Sequence, residues 1–409
     1  MSVTTPSEAP VVLPTRFRAA EARGARMGRL LRPLGRVRQV DEDLMTRLGR
    51  GLMEVDETGA ALARAMRRPA GDPARVSMAQ LKQATDHGID TVEDAPAALV
   101  EFFTRVEATP AWVDLDLVDE GARVFRRLGQ NAADVLLQLS LIGGYRFGGP
   151  TDLLVATGGL VGDTTMRRLG ETQKWAVAVG QPGAMRRGGE GWALTVHVRA
   201  MHALVNEGFA HRWDAARWGR PINQTDQAAT LGLFSGVVLV GCRSLGARIT
   251  RDESLAVMHL WKYVGWLMGV DGQWLVDTER EQHHLNYHVL LAQDDLTEAG
   301  PALTQAIVEA QGSLHITAFT RLRRHYARER LLSMLTVFLG PRSMRELGLP
   351  LRPPWAFALA HLLNVVRYRI VGRSAWGEQA LQAWGARVRA RTMSRYFGTS
   401  TPEIGRLTV

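Results

Sequence analysis

The chain has 409 residues, 46% of which are hydrophobic, and its only cysteine is Cys242. This composition is that of a globular protein and excludes a chain that is disordered throughout. A single cysteine excludes intrachain disulfides, cysteine-rich zinc sites and iron–sulfur clusters. The formal net charge is +9, but the basic residues are almost all arginines scattered along the chain, so we expect solvated faces and no nucleic-acid-binding surface.

Residues 1–39 are predicted to form a disordered or basic arm ahead of the main domain. Residues 1–15 are rich in Pro, Ser and Thr, which is typical of a disordered terminus. The N-terminal sequence lacks the charged segment followed by an apolar run that is typical of a signal peptide. We therefore expect a cytoplasmic protein. Residues 16–38 are basic and loosely amphipathic. A solvated helix is favoured there, and peripheral contact with a membrane surface is the alternative.

From residue 40 to residue 375, the spacing of apolar residues predicts one helix after another. Clear examples are predicted over 223–246, 251–269, 278–294, 301–312, 325–339 and 354–372. The best strand candidate, LHITAF at 314–319, is short. We therefore predict an all-α protein with one large helical domain over 40–375, followed by a C-terminal helix and tail over 376–409.

The longest apolar run covers residues 228–242. It is shorter than the roughly 20 residues that a membrane-crossing helix needs. We therefore predict a buried core helix at this position.

A histidine lies beside an apolar helix face in the segment VRAMHALVN, residues 198–206. The apolar stripe follows helical spacing and consists of Leu194, Val198, Met201 and Val205. The pattern alone favours His202 as a histidine packed at the edge of the core. The same position also suits a neutral imidazole ligand of heme iron. Arg199, one turn away, is the type of residue that pairs with a heme propionate.

The preceding helix contains the segment RRLGETQKW and has one polar face. That face has the spacing i, i+3, i+4, i+7 and consists of Arg168, Glu171, Thr172 and Trp175. The pattern alone favours an exposed face with a weak Arg–Glu pair. The functional alternative is one wall of a mostly apolar pocket with a few converging polar groups.

A third pattern occurs in EREQHHLNYH, residues 279–288. Glu281, His284 and His288 have a spacing that can hold a divalent metal, but the order H-E-x-x-H is missing. A helix that faces solvent or a partner is therefore favoured over a metal site.

From about residue 98 to residue 295, the chain resembles the DUF2236 family, which contains the latex clearing proteins (rubber oxygenases) and the MpaB-type oxygenases. The stretches that carry this resemblance occur in order and are FFTRVEATPAWVDLDLVDEGARVFRRLG, LLQLSLIGGY, TGGL, RRLGETQKW, PGAMRRGGEGW, VRAMHAL and HLWKYVGWLMGVD. The resemblance implies a helical, globin-like core that binds heme b. It further implies oxidation or cleavage of an apolar, isoprenoid or lipid-like substrate with dioxygen.

The resemblance also implies roles for individual residues. His202 falls on the axial ligand of the heme iron, and Arg199 belongs to the same motif. Arg168 and Thr172 fall on the distal arginine and threonine. A catalytic carboxylate of the rubber oxygenases falls near Asp152 by spacing.

Three positions depart from the family pattern. Glu171 stands where rubber oxygenases have a lysine, and a carboxylate does not replace a neutral amine ligand; we expect Glu171 or Asp152 to act as a general base. Asn206 and Gly159 stand where relatives often have arginine. These two residues favour the alternative function, a non-catalytic helical binding protein that has lost heme or activity.

We expect the partners to be dioxygen and a small apolar molecule, such as a lipid or terpenoid, and no nucleic acid. A long rubber polymer is a poor candidate, because the sequence predicts no export signal.

Overall fold

The computed structural model describes residues 12–158, 164–314 and 319–397. In this part of the chain every regular element is helical, which confirms the predicted all-α class. The helices of the N-terminal half are α1 (Glu21–Met27), α2 (Leu31–Leu34), α3 (Glu42–Gly51), α4 (Glu57–Met66), α5 (Met78–His87), α6 (Ala97–Glu107), α7 (Leu115–Leu128), α8 (Gln130–Val135), continued by a π-helical stretch (Leu136–Ile142), and α9 (Pro150–Ala156). They are followed by α10 (Thr164–Val179), α11 (Glu190–Phe209), α12 (Ala215–Trp218), α13 (Gln224–Phe234), α14 (Gly236–Ser244), α15 (Arg251–Leu267), α16 (Glu279–Ala292), α17 (Ala299–Ala310), α18 (Thr320–Glu346), α19 (Trp355–Arg369) and α20 (Ala375–Phe397).

Local sequence explains where several of these helices begin. At the start of α15, the Thr250 hydroxyl accepts a hydrogen bond from the backbone N–H of Glu253, whose carboxylate accepts one from the N–H of Thr250. Thr278 and Glu281 form the same reciprocal cap at the start of α16. These caps satisfy backbone donors that a helix leaves unpaired, and both helices begin within a residue of their predicted starts.

The apolar segment predicted as one helix over 223–246 is two helices, α13 and α14, which meet at Ser235 with φ −100° and ψ −94°. The Ser235 hydroxyl is buried and donates to the carbonyl of Leu231 at 2.9 Å. Among the described helical segments, only the joined α13–α14 segment, Gln224–Ser244, is long and apolar enough, by length and composition, to cross a membrane. Most of it is buried against other helices, as in an ordinary core helix.

The N-terminal segment is packed, not solvated, over the part that the structure describes. Helices α1 and α2 pack against α16, and the buried Arg16 forms an ion pair with Asp226 at the start of α13. The pairing joins residues 210 positions apart, which no local pattern reveals. Residues 1–11 and most of the strand candidate, residues 315–318, lie outside the described part, and the domain division at 39 and 375 stays a prediction.

The main core lies around the pair α7 and α15, and Gly121 permits their close approach. A Cβ atom at position 121 would lie 2.2 Å from the carbonyl oxygen of Ala256 on α15. The same apolar cluster includes buried side chains of α4, α6, α11 and α14. This core supports α11, the helix that carries His202.

We expect Gly121→Ala to lower the free energy of unfolding by about 1–3 kcal/mol, because the added methyl group forces α7 away from α15. Chemical denaturation followed by circular dichroism measures the change. Gly272→Ala is the matched control, since nothing lies within 4 Å of a Cβ atom at position 272. Equal stability of the two variants would contradict the proposed role of Gly121.

Candidate functional site

Helix α11 is tied to α4 by a buried, bidentate ion pair. Arg199 donates from Nε to Oδ2 of Asp56 at 2.6 Å and from Nη2 to Oδ1 at 2.7 Å. Its Nη1 donates to the carbonyl of Leu267 at 3.3 Å, and the guanidinium lies 5.0 Å from the ring centroid of Phe102. Such a buried fork leaves little freedom for rotation of α11 about its own axis.

Two further contacts hold α11 near its ends. Trp175 of α10 donates from Nε1 to the Thr195 hydroxyl at 3.0 Å. Near the C-terminus of α11, the Asn206 amide donates to the carbonyl of Ile222 at 3.0 Å and accepts from its N–H at 3.3 Å. Asn206 therefore has a structural role: it holds the backbone of Ile222. It does not carry the positive charge that an arginine at this position would have.

The apolar stripe of α11 is not its buried face. Residues Trp192, Val196, Ala200 and Ala203 are buried in the main core. The predicted stripe, however, is only half-buried along its length, at Leu194, Val198, Met201 and Val205. The structure thus leaves a partly open apolar surface on α11 next to His202.

His202 combines a neutral ring with an unsatisfied nitrogen. The side chain is half-buried, and its Nδ1 is buried without a hydrogen-bond partner. Burial lowers the pKa of His202 to about 4, against a smaller opposing attraction from Asp56. The imidazole is therefore uncharged near neutral pH and retains a nitrogen lone pair, as a metal ligand must.

A small cavity adjoins His202. Its volume is about 10 Å³, and it is lined in part by Asp56, Ala60, Gln227 and Met268. A cavity of this size holds about one water molecule. Nothing in the spacing of the sequence indicated Asp56, which lies immediately before α4 and 143 residues before Arg199.

Helix α10 brings the other predicted residues to the same region. It packs against α11, and the helices are joined by residues 180–189 and run antiparallel. Their side chains meet at the Trp175–Thr195 hydrogen bond. The predicted α10 and α11 residues therefore occupy two adjoining helices, and a site shared by Arg168, Thr172 and His202 stays a prediction.

The side chains of α10 differ in exposure. Thr172 is exposed, although Leu169, Trp175 and Ala176 on the same side of the helix are buried. An exposed threonine within a buried face indicates an opening in the packing. Arg168 and Glu171 are half-buried, and Glu171 lies 3.8 Å from Arg167 as an i, i+4 ion pair.

Two residues predicted at the site have structural partners. Asp152 caps α9, where its Oδ2 accepts hydrogen bonds from the N–H of Gly149 at 2.9 Å and from the Thr297 hydroxyl at 3.1 Å. Arg199 is paired with Asp56, so its guanidinium is already engaged. The catalytic role of Asp152 and the propionate contact of Arg199 stay predictions, and Gly159 lies outside the described residues.

The histidines of α16 belong to the packed structure. The expectation of a helix facing solvent or a partner is wrong, because α16 is largely buried between α1 and the core. His288 accepts from the N–H of Asp41 at 2.9 Å and hydrogen-bonds the carbonyl of His284 at 2.8 Å. Glu281 caps the helix. No group of three or more His, Cys, Asp or Glu residues in the described part of the chain is arranged to hold a metal ion.

Comparison with known proteins gives three similarities. Residues 128–368 match the family described as ER-bound oxygenase mpaB/B'/rubber oxygenase, catalytic domain. A rubber oxygenase from Streptomyces sp. is 23% identical over 239 residues, which are 56% of this chain and 57% of that protein. The match thus spans little more than half of the relative's length. The structure of a latex clearing protein in the closed state superposes with a TM-score of 0.64 and 21% identity, over 82% of this chain and 91% of that chain. This likeness shows a shared fold.

We expect Asp56→Ala to lower the free energy of unfolding by about 3–5 kcal/mol, because it leaves the Arg199 guanidinium buried without a counter-charge. Denaturant-induced unfolding measures the loss. Lys82→Ala is the control, since it breaks an exposed ion pair with Asp86 and should cost less than about 1 kcal/mol. Similar losses in the two variants would show that the Arg199 pair does not hold α11.

We also expect the stability of the protein to fall as pH falls from about 6.5 to about 4. A histidine in the unfolded chain titrates near the upper value, whereas the pKa of folded His202 is about 4, so the unfolded state takes up the proton first. The loss from this residue is at most about 3 kcal/mol. Denaturant-induced unfolding at several pH values measures this loss. His202→Leu should flatten the pH dependence of the free energy of unfolding. His211→Leu, which changes an exposed histidine, should leave that pH dependence as it is.

Proposed function

Because this chain belongs to the family of the MpaB-type oxygenases and rubber oxygenases, we propose that it is an oxygenase that uses heme b. The proposed reaction is the oxidation or cleavage of a small apolar substrate, isoprenoid or lipid-like, with dioxygen. The family membership supports the oxygenase class. The heme cofactor and the apolar substrate class are what the family resemblance implies, and His202 and the apolar stripe of α11 support them.

The observation that carries the cofactor proposal is the state of His202. A half-buried, neutral imidazole whose Nδ1 is buried without a partner fits a residue that would hold a heme iron. The half-buried stripe of α11 beside it fits the apolar face of a porphyrin. Arg199 does not fit the predicted contact with a propionate as it stands, because Asp56 occupies two of its nitrogens.

When bound, heme would supply the chemistry that activates dioxygen. The side chains of this protein do not supply that chemistry themselves. His202 would hold the iron from α11. The partly open apolar surface of α11 would exclude water and accept an apolar substrate next to the cofactor.

On α10, Arg168 and Thr172 would position and polarise the reacting oxygen. Both carry hydrogen-bond donors, and donors held in place before reaction stabilise negative charge as it develops. Both lie on α10, which packs against α11. The exposure of Thr172 within a buried face leaves its hydroxyl accessible for this role.

Of the two carboxylates considered as a general base, Glu171 is the better placed. It lies on the same helix as Arg168 and Thr172 and is half-buried. Asp152 already accepts two hydrogen bonds on its Oδ2 as a helix cap, so that oxygen is engaged within the structure. We assign proton removal from the substrate to Glu171.

The alternative function is a helical binding protein that has lost heme or activity. Two observations favour it: the cavity beside His202 is about 10 Å³, and Arg199 is engaged by Asp56. In this case the fold of the family would persist, and His202 would remain a buried, structural histidine.

We expect purified protein reconstituted with heme to show a strong Soret band, which His202→Ala shifts or abolishes because the residue that would hold the iron is lost. Optical absorption and heme titration measure the band and the stoichiometry. His211→Ala is the matched control, because His211 is exposed just beyond the end of α11. Its spectrum should equal that of the unmodified protein.

Absence of heme binding by the unmodified protein would reject the oxygenase proposal and favour the binding protein. An unchanged spectrum in folded His202→Ala would reject His202 as the ligand. Circular dichroism of both variants separates these results from a loss of folding.

A further inference from the structure

Helix α19 exposes an apolar face along its whole length. The exposed residues have the spacing i, i+4, i+7, i+8, i+11 and i+15 of one helix side, and they are Trp355, Leu359, Leu362, Leu363, Val366 and Ile370. We refer to these six residues as the α19 face. Leu362 is 63% exposed and Ile370 is 66% exposed. On the opposite side, Ala356, Asn364 and Tyr368 are buried and attach the helix to the core.

Further exposed apolar residues occur near both ends of α19. At its N-terminal end, the Trp355 ring lies 5.6 Å from that of Tyr326 on α18, which is also exposed. Exposed Leu322 lies one turn before Tyr326 on α18, and exposed Trp376 follows the C-terminal end of α19. Exposed apolar residues grouped in this way mark an interaction site, and aromatic residues near the ends are typical of a membrane interface.

The charges around this surface are basic. Residues 347–377 contain neither Asp nor Glu. Arg369 and Arg373 are exposed at one end, and Arg321 and Arg323 are exposed at the other. The nearest carboxylate along α18, Glu329, is neutralised by ion pairs with arginines 328 and 352.

The apolar α19 face and the arginines at its ends together indicate which partner fits this surface. A second copy of the chain packed face to face would bring one set of arginines toward another, with no carboxylate on α19 to compensate. An anionic bilayer buries the apolar face and attracts the arginines at the same time. We propose that the α19 face docks this protein on the surface of a membrane that contains anionic phospholipid, with α19 in the plane of the interface.

The test is co-sedimentation of the full-length protein with vesicles. Vesicles of phosphatidylcholine are compared with vesicles in which part of that lipid is replaced by phosphatidylglycerol, at low and high salt. We expect stronger binding to the anionic vesicles and weaker binding at high salt. The double variant L362E/I370E should reduce the partition coefficient about tenfold or more, because two exposed apolar anchors become charged.

The matched control is Leu30→Glu, which changes an exposed leucine of the basic N-terminal segment. It should leave vesicle binding unchanged, whereas a loss equal to that of L362E/I370E would move the membrane contact to the N-terminal segment and overturn the proposal. Absence of binding by the unmodified protein, or equal binding to neutral vesicles, would also overturn it. So would a dimer, measured by light scattering, that the double variant dissociates. Unfolding curves verify that both variants are folded, and the outcome does not depend on heme.

Discussion

The buried ion pair between Arg199 and Asp56 is the constraint on which the arrangement of the site depends. It joins α11 to α4 through two hydrogen bonds, and the same guanidinium contacts Leu267 and Phe102. Because each residue turns a helix by about 100°, fixing Arg199 also fixes the direction of His202 three positions later. A buried arginine that lost its partner would destabilise the core and would also release the helix that carries the candidate ligand.

Most polar groups near the site have partners, and this separates structural residues from candidate functional ones. Asp152 caps α9, Asn206 holds the backbone of Ile222, and His288 holds the backbone of Asp41. His202 Nδ1 is buried without such a partner. Buried polar groups are usually satisfied, and His202 Nδ1 is one of several buried atoms without a partner; its position next to a partly open apolar surface is what makes it a candidate ligand.

The two proposals concern opposite kinds of surface. The site between α10 and α11 places a few polar groups beside an apolar wall, as a pocket for an apolar molecule does. The α19 face is a broad apolar surface with arginines at its ends. An enzyme for lipid-like molecules gains from contact with a membrane, where such molecules are concentrated, although each proposal stands on its own residues and its own experiment.

The sequence by itself determined the helical class and most helix positions, because apolar spacing and caps such as Thr250 with Glu253 act between residues a few positions apart. It also indicated the family, and it brought His202, Arg168 and Thr172 to attention. Only the tertiary structure decided that Asp56 partners Arg199, that Arg16 is buried against Asp226, and that the segment 223–246 breaks at Ser235. The pattern of α19 likewise predicted a helix without showing that one apolar side stays uncovered. Partners and exposure depend on residues far apart in the chain, which local periodicity does not record.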